Sequence, residues 1–249
     1  MELFNLKAGS VPGKDHLFRQ ANSQDKYSWA SFENQGRLYQ AGIVCDGCGS
    51  AGQSEVGAAL LAEFGVAELA RLICQGYSLE DLPEALYRSS LNFLREVTRL
   101  VAAGKEPAAF IGRYLLATVL GFLVSEDQTL VFAAGDGLII INDRLELRDE
   151  ANRPNYLAYG LLPPEALTGP VPFRDNFDYQ LLPTAGIERL AVWTDGLDPA
   201  LSGETWNLPG PRGLQRKLNI WSKRKLLADD TTGITLERAV QELQNASTY

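Results

Sequence analysis

Five acidic positions carry the chemical information in this sequence. Asp46-Gly47 follows the apolar run GIVC, Asp136-Gly137 follows LVFAAG, and Asp195-Gly196 follows LAVWT. Asp229-Asp230 stands just before an apolar stretch at Thr232–Leu236, and Asp25 just before another at Lys26–Phe32. Taken singly, an Asp-Gly pair is turn chemistry, because glycine accepts positive φ and aspartate bonds nearby backbone amides. Taken together, carboxylates at the ends of several strands can meet at one sheet edge. There they would repel one another and raise each other's pKa unless a cation neutralised them. A hard divalent ion with oxygen ligands and water, Mg²⁺ or Mn²⁺, suits such a set. Two such ions bridged by water can generate a hydroxide nucleophile near neutral pH and clamp a phosphoryl group. Spacing does not by itself bring these residues together, and ordinary turns stay open as the other reading.

The pattern around them supplies strands, two long helices, then strands again. Alternating stretches at Lys26–Phe32 and Arg37–Cys45, joined through Gly36, predict a β-hairpin. Helical periodicity runs from Ser54 to Gln75, with Val56, Leu60, Phe64 and Ala67 on one face and Gly76 as its stop. A second helix is expected from Ser78, with Asp81 in a capping box. Leu82, Leu86, Phe93, Val97 and Leu100 would share its face, and Gly104 and Pro107 would close it. Strands follow at Tyr114–Val124, Thr129–Ala134, Leu138–Asn142, Leu190–Thr194 and Thr232–Leu236, with a short basic helix at Gly213–Trp221 and a polar tail after the last strand. Ala151–Pro183, rich in Pro, Gly and Asn, reads as an irregular excursion and a candidate substrate-selecting flap. Without βαβ alternation, the expectation is α+β with antiparallel sheets in a single domain spanning 1–249.

Composition narrows the chemistry. The 23 Lys and Arg against 31 Asp and Glu give a net charge of −8, which does not suit broad nucleic-acid binding. No apolar run approaches a membrane span, and the first residues lack a signal-peptide pattern, so a cytoplasmic protein is expected. Three cysteines give no disulfide framework. A single histidine, His16, leaves any chemistry to carboxylates.

The strings themselves say more. GKDHLFRQANSQD (Gly13–Asp25), VCDGCGSAGQSEVGA (Val44–Ala58), FAAGDG (Phe132–Gly137), VWTDGL (Val192–Leu197) and ADDTT (Ala228–Thr232) stand in family order. The chain resembles the PPM (type 2C) metal-dependent protein serine/threonine phosphatases, in a bacterial branch, over residues 13–237. The resemblance implies a four-layer α-β-β-α sandwich of two antiparallel sheets flanked by helices, with two Mg²⁺ or Mn²⁺ ions at one end. It implies that Asp46 bridges the metals, that Gly47 offers its carbonyl, and that Asp195 and Asp229 are ligands. Asp25 would hold metal largely through water, and Asp136 would help a third, weaker site. Asp25, Asp46 and Asp195 are the residues it implies for catalysis. The implied reaction is attack of metal-activated water on a phosphoserine or phosphothreonine of a protein substrate, without a covalent intermediate.

The pattern departs in three places. Gln20 stands where many members place a phosphate-holding Arg, which leaves Arg19 as the neighbouring substrate-binding candidate. Cys48 replaces the His that some members carry after the first Asp-Gly. Pro199 replaces an acidic residue, with Asp198 one step early. These departures keep a second reading alive, a phosphatase-like binding or regulatory protein with little turnover; a hydrolase of small phosphomonoesters is a third. Cys45 and Cys48 have C-x-x-C spacing, but a zinc site would need further paired ligands. His16 is either an exposed loop residue or a hydrogen-bonding anchor of the first motif. The run Arg212, Arg216, Lys217, Lys223, Arg224, Lys225 is either a solvated helix face or a docking surface for an acidic or phosphorylated partner.

Overall fold

The computed structural model of the protein describes residues 3–102, 106–150, 154–163, 165 and 176–239. In chain order its strands are β1 (Phe4–Val11), β2 (Lys26–Asn34), β3 (Arg37–Cys45), β4 (Val119–Ser125), β5 (Gln128–Ala134), β6 (Gly137–Ile141), β7 (Arg144–Arg148), β8 (Asp178–Pro183), β9 (Arg189–Trp193) and β10 (Thr231–Arg238). Its helices are α1 (Lys14–Arg19), α2 (Glu55–Cys74), α3 (Leu82–Val101), α4 (Pro107–Tyr114) and α5 (Gly213–Lys223).

Two antiparallel five-stranded sheets stack face to face. One has the order β1-β10-β9-β6-β7 and the other β2-β3-β4-β5-β8. Alternation along each strand builds the filling between them: Val44, Leu120, Phe122 and Val131 from one sheet meet Phe4, Ile139, Val192 and Ile234 from the other. The opposite faces are covered by helices. α2 and α3 lie over the sheet of β3, and α5 lies over the sheet of β1 through Leu214, Leu218 and Trp221. This is the expected α+β sandwich. Gln40 is a buried amide between the sheets; it accepts from Phe4 N at 2.9 Å and donates to Phe4 O at 3.0 Å, so it ties β1 to the other sheet.

Several expectations need correction. β1 precedes the hairpin, so Asp25 comes before the second strand rather than the first. The face read for α2 is displaced: Leu61, Ala62, Leu69 and Leu72 are buried, whereas Val56 is exposed. α2 has two apolar surfaces. One meets the sheet, where a Cβ on Gly65 would sit 2.5 Å from Ile43. The other meets α3, where Phe64 stacks on Phe93 at 4.2 Å between centroids. In α3, Leu82 and Leu86 are buried as read, but Ser90, Leu94 and Thr98 continue that face and Leu100 is exposed. Ser78 does bond to Asp81, yet it does so in a turn, and the helix begins at Leu82.

Pro107 does not close α3; it opens α4, the favoured place for proline in a helix. Tyr114 therefore ends a helix instead of starting a strand. β7 was not anticipated, and β8 occupies the end of the supposed excursion, pairing Phe132 with Tyr179. A 3₁₀ turn covers Leu157–Leu161. The rest of the flap reading, at 151–153, 164 and 166–175, falls outside the described residues, as does the polar tail beyond 239.

Candidate metal centre

Strand register delivers the acidic positions to one edge. Lys26 faces Cys45 across the hairpin, so Asp25 and Asp46 leave the sheet side by side. Val119 faces Ala134, which places the β5–β6 turn with Asp136 at the same end. In the other sheet, Leu138 and Gly233 both face Trp193, and Thr194 N donates to Thr232 O at 2.9 Å. Asp195 and Asp229 therefore emerge together at that end.

Two of the three Asp-Gly pairs owe their glycine to crowding rather than to a turn. A Cβ on Gly47 would lie 2.7 Å from Ser54 Oγ and 2.9 Å from Gln24 O. One on Gly196 would lie 1.8 Å from Asp230 O. Only Gly137 has positive φ, at 147°. The Asp46 backbone is pinned on both sides by Thr118, whose Oγ1 accepts from Asp46 N at 3.1 Å and whose N–H donates to Asp46 O at 2.8 Å.

Asp25 is the deepest carboxylate, buried and accepting from Thr194 Oγ1 at 2.6 Å. Its side chain also hydrogen-bonds that of Asp46. Burial pushes the Asp25 pKa up to about 7, with Thr194 and Asp46 pulling against it and Asp230 and Asp195 adding to it. Asp46, half-buried, is pushed well above the usual carboxylate range by desolvation first and by the charges of Asp25, Asp195 and Asp229 next. Asp195 stands at the open side; partial desolvation and then Asp229 raise its pKa. Asp136 is raised by burial against the pull of Glu150 N, which donates to it at 2.7 Å. Asp25, Asp46, Asp136 and Asp195 are each shifted against the charged form.

Two side chains in hydrogen-bonding contact that each favour ionisation in water must share a proton or a cation. An all-oxygen donor set of this charge fits a hard divalent ion. Among the described residues, no three His, Cys, Asp or Glu side chains are drawn to one ligating point.

Several participants escaped the sequence reading. Asp230 is a hub: its carboxylate accepts from Gly13 N at 2.7 Å and Gln24 N at 2.6 Å, and lies 2.7 Å from His16 Nδ1. His16 thus anchors the first-motif loop. The available signal was a single histidine in the first motif and a second aspartate beside Asp229 in ADDTT. Asp149 and Glu150, just past β7, add charge beside Asp136, and nothing in the sequence pointed to them. Tyr156 bonds Cys48, and burial drives its pKa up. Cys45, Cys48 and Cys74 are free thiols. Arg19 ends α1 and is exposed, and Gln20 follows in left-handed conformation at φ 55°.

His16→Ala removes one of three bonds to a buried carboxylate. It is expected to destabilise the protein by about 1–2 kcal/mol. A thermal melt of the variant should show a midpoint several degrees lower, and an unchanged midpoint would show that the bond does not hold the loop.

A sequence profile described as Protein phosphatase 2C matches residues 12–229. Among solved structures, a bacterial serine phosphatase superposes with a TM-score of 0.64 at 16% identity, covering 95% of this chain and 98% of the other. The serine/threonine phosphatase Stp1 from Staphylococcus aureus gives 0.61 at 18%, covering 96% and 98%. PppA, described as a key regulatory component of the type VI secretion system in Pseudomonas aeruginosa, gives 0.56 at 18%, covering 96% and 99%. At these identities the likeness shows the fold. Among curated protein sequences, none matches this chain.

Proposed function

We infer, because this chain belongs to the protein phosphatase 2C family, that it is a metal-dependent phosphoprotein phosphatase acting on phosphoserine or phosphothreonine. The observation that carries the assignment of the site is the meeting of Asp25, Asp46, Asp136, Asp195 and Asp229 at one sandwich end, where burial and neighbouring charge raise the pKa values of Asp25, Asp46, Asp136 and Asp195. Asp46, the Gly47 carbonyl, Asp195 and Asp229 would hold two Mg²⁺ or Mn²⁺ ions, with Asp25 in support and Asp136 beside a third. Such ions, when bound, neutralise phosphoryl charge and acidify water for attack on phosphorus.

The chain's own part is positioning. Thr118 fixes the Asp46 backbone, Thr194 orients the Asp25 carboxylate, and Asp230 with His16 and Gln24 clamps the loop that carries Asp25. Arg19, exposed at the end of α1, is the candidate to hold substrate phosphate. No described helix is long and apolar enough to cross a membrane. We take the chain as one phosphatase domain, and its three free thiols fit a reducing, cytoplasmic compartment.

Hydrolysis of a phosphothreonine peptide and of p-nitrophenyl phosphate, with chelator and with Mn²⁺, tests the assignment. Turnover should appear only with metal. No turnover by folded, Mn²⁺-supplemented protein would leave the binding-protein reading instead.

A further inference from the structure

Residues 211–228 carry six of the chain's 23 Lys and Arg and none of its 31 Asp and Glu. They comprise α5 and its flanks, lying on β1. Gln215 fastens them there, accepting from Ser10 N at 3.0 Å and donating to Ser10 O at 2.9 Å. Leu214, Leu218 and Trp221 face inward, which leaves the cations outward. Lys217 is engaged within the protein, paired with Glu204 at 2.5 Å and 5.0 Å from the Trp221 ring centroid. Arg216 bonds the Pro209 carbonyl. Lys223, Arg224 and Lys225 are exposed, and among the described residues no carboxylate pairs with them.

From these three the chain runs directly into the acidic edge. Lys225 sits at φ 59°, with Lys225 N donating to Ser222 O at 2.9 Å and Leu226 N to Trp221 O at 3.0 Å. This is the reverse turn that glycine usually makes, and a side chain there costs about 1 kcal/mol. Leu227 is buried again against α5, and Asp229 and Asp230 follow at once. Four residues of chain span at most about 14 Å, so the Lys225 backbone lies within that distance of Asp229.

We propose that Lys223, Arg224 and Lys225 form a docking rim for acidic residues flanking the phosphorylated residue of the substrate. This rests on the phosphatase reading above. Metal ions would neutralise the aspartates locally, but the acidic flanks of a substrate would still meet a protein of charge −8. Three free cations beside the site reverse the local field, raise encounter rates and select against basic flanks. Each exposed pair is weak, so the effect is collective and falls with salt.

The test uses the variant Lys223→Gln, Arg224→Gln, Lys225→Gly, in which glycine relieves the left-handed position. Substrates are one phosphothreonine peptide flanked by Glu and Asp, its Gln- and Ser-flanked counterpart, and p-nitrophenyl phosphate. The parent should favour the acidic peptide about tenfold in kcat/KM, mainly through KM. That preference should shrink at about 0.5 M NaCl, where charges are screened within a few ångströms. The variant should lose it while hydrolysing p-nitrophenyl phosphate at the parent rate. Fluorescence anisotropy of the labelled peptides, which needs no turnover, should show the same preference and its loss. If no substrate is turned over, the phosphatase reading fails and the anisotropy alone decides the rim. Equal handling of the two peptides by the parent overturns the proposal. So does a preference that survives the triple substitution, or an oligonucleotide that competes as well as the acidic peptide.

Discussion

Asp46→Asn is expected to lower metal-dependent hydrolysis of a phosphothreonine peptide by roughly a thousandfold in kcat, the size of effect when several kcal/mol of transition-state charge stabilisation is lost. Asparagine keeps the shape of the side chain and removes its charge. The backbone anchors at Thr118, 3.1 Å and 2.8 Å, do not involve the carboxylate, so the turn should survive. An amide can also still bond the Asp25 side chain. The loss should therefore appear in turnover and in Mn²⁺ binding, with the far-ultraviolet circular dichroism unchanged. Asp136→Asn, at the periphery of the cluster, should cost far less. Turnover surviving in a folded Asp46→Asn protein would place the reactive centre elsewhere.

The ends of strands were more legible than their beginnings. Asp46, Asp136 and Asp195 each follow an uninterrupted apolar run, because β3, β5 and β9 are interior strands buried on both faces. β1 and β7 are edges, and their mixed sequences FNLKAGSV and RLELR carry little of that signal. α4 was hidden because a proline that opens a helix looks like one that closes its predecessor. The α2 face was misread because a helix packed on both a sheet and another helix has no single apolar stripe. Convergence of the five aspartates could not be read from spacing, since it depends on register across two sheets. The resemblance carried that expectation, and pairings such as Lys26 with Cys45 and Gly233 with Trp193 give its physical basis. Asp230 was named only by its place in a motif, because its role lies in bonds to Gly13, His16 and Gln24, more than 200 residues away in sequence.

Asp25→Asn is expected to stabilise the metal-free protein at pH 8 while reducing its stabilisation by Mn²⁺. Burial holds the Asp25 pKa at about 7 in the folded chain, against an ordinary value of 3.8. Below about pH 4 both folded and unfolded chains keep the proton, and burial of the neutral acid is tolerated. Between about pH 4 and 7 the unfolded chain releases it and the folded chain does not, so stability is lost as pH rises through that window and stays lost above it. A shift of this size corresponds to roughly 4 kcal/mol. Asparagine has no proton to lose and can still accept the Thr194 hydroxyl bond, so the variant should lack this decline. Urea unfolding in chelator at pH 4, 6 and 8 should show parent and variant converging at low pH and diverging at high pH, with the variant more stable. Adding Mn²⁺ at pH 8 should raise the parent more than the variant, because a cation that binds only the folded state stabilises it more the more tightly it binds there. A parent whose metal-free stability rose from pH 4 to 7 relative to the variant would mean that Asp25 is ionised at no cost, and that repulsion at this edge does not call for a cation. The expected divergence would show the carboxylates held against the stability of the empty fold, as a site built to bind metal requires.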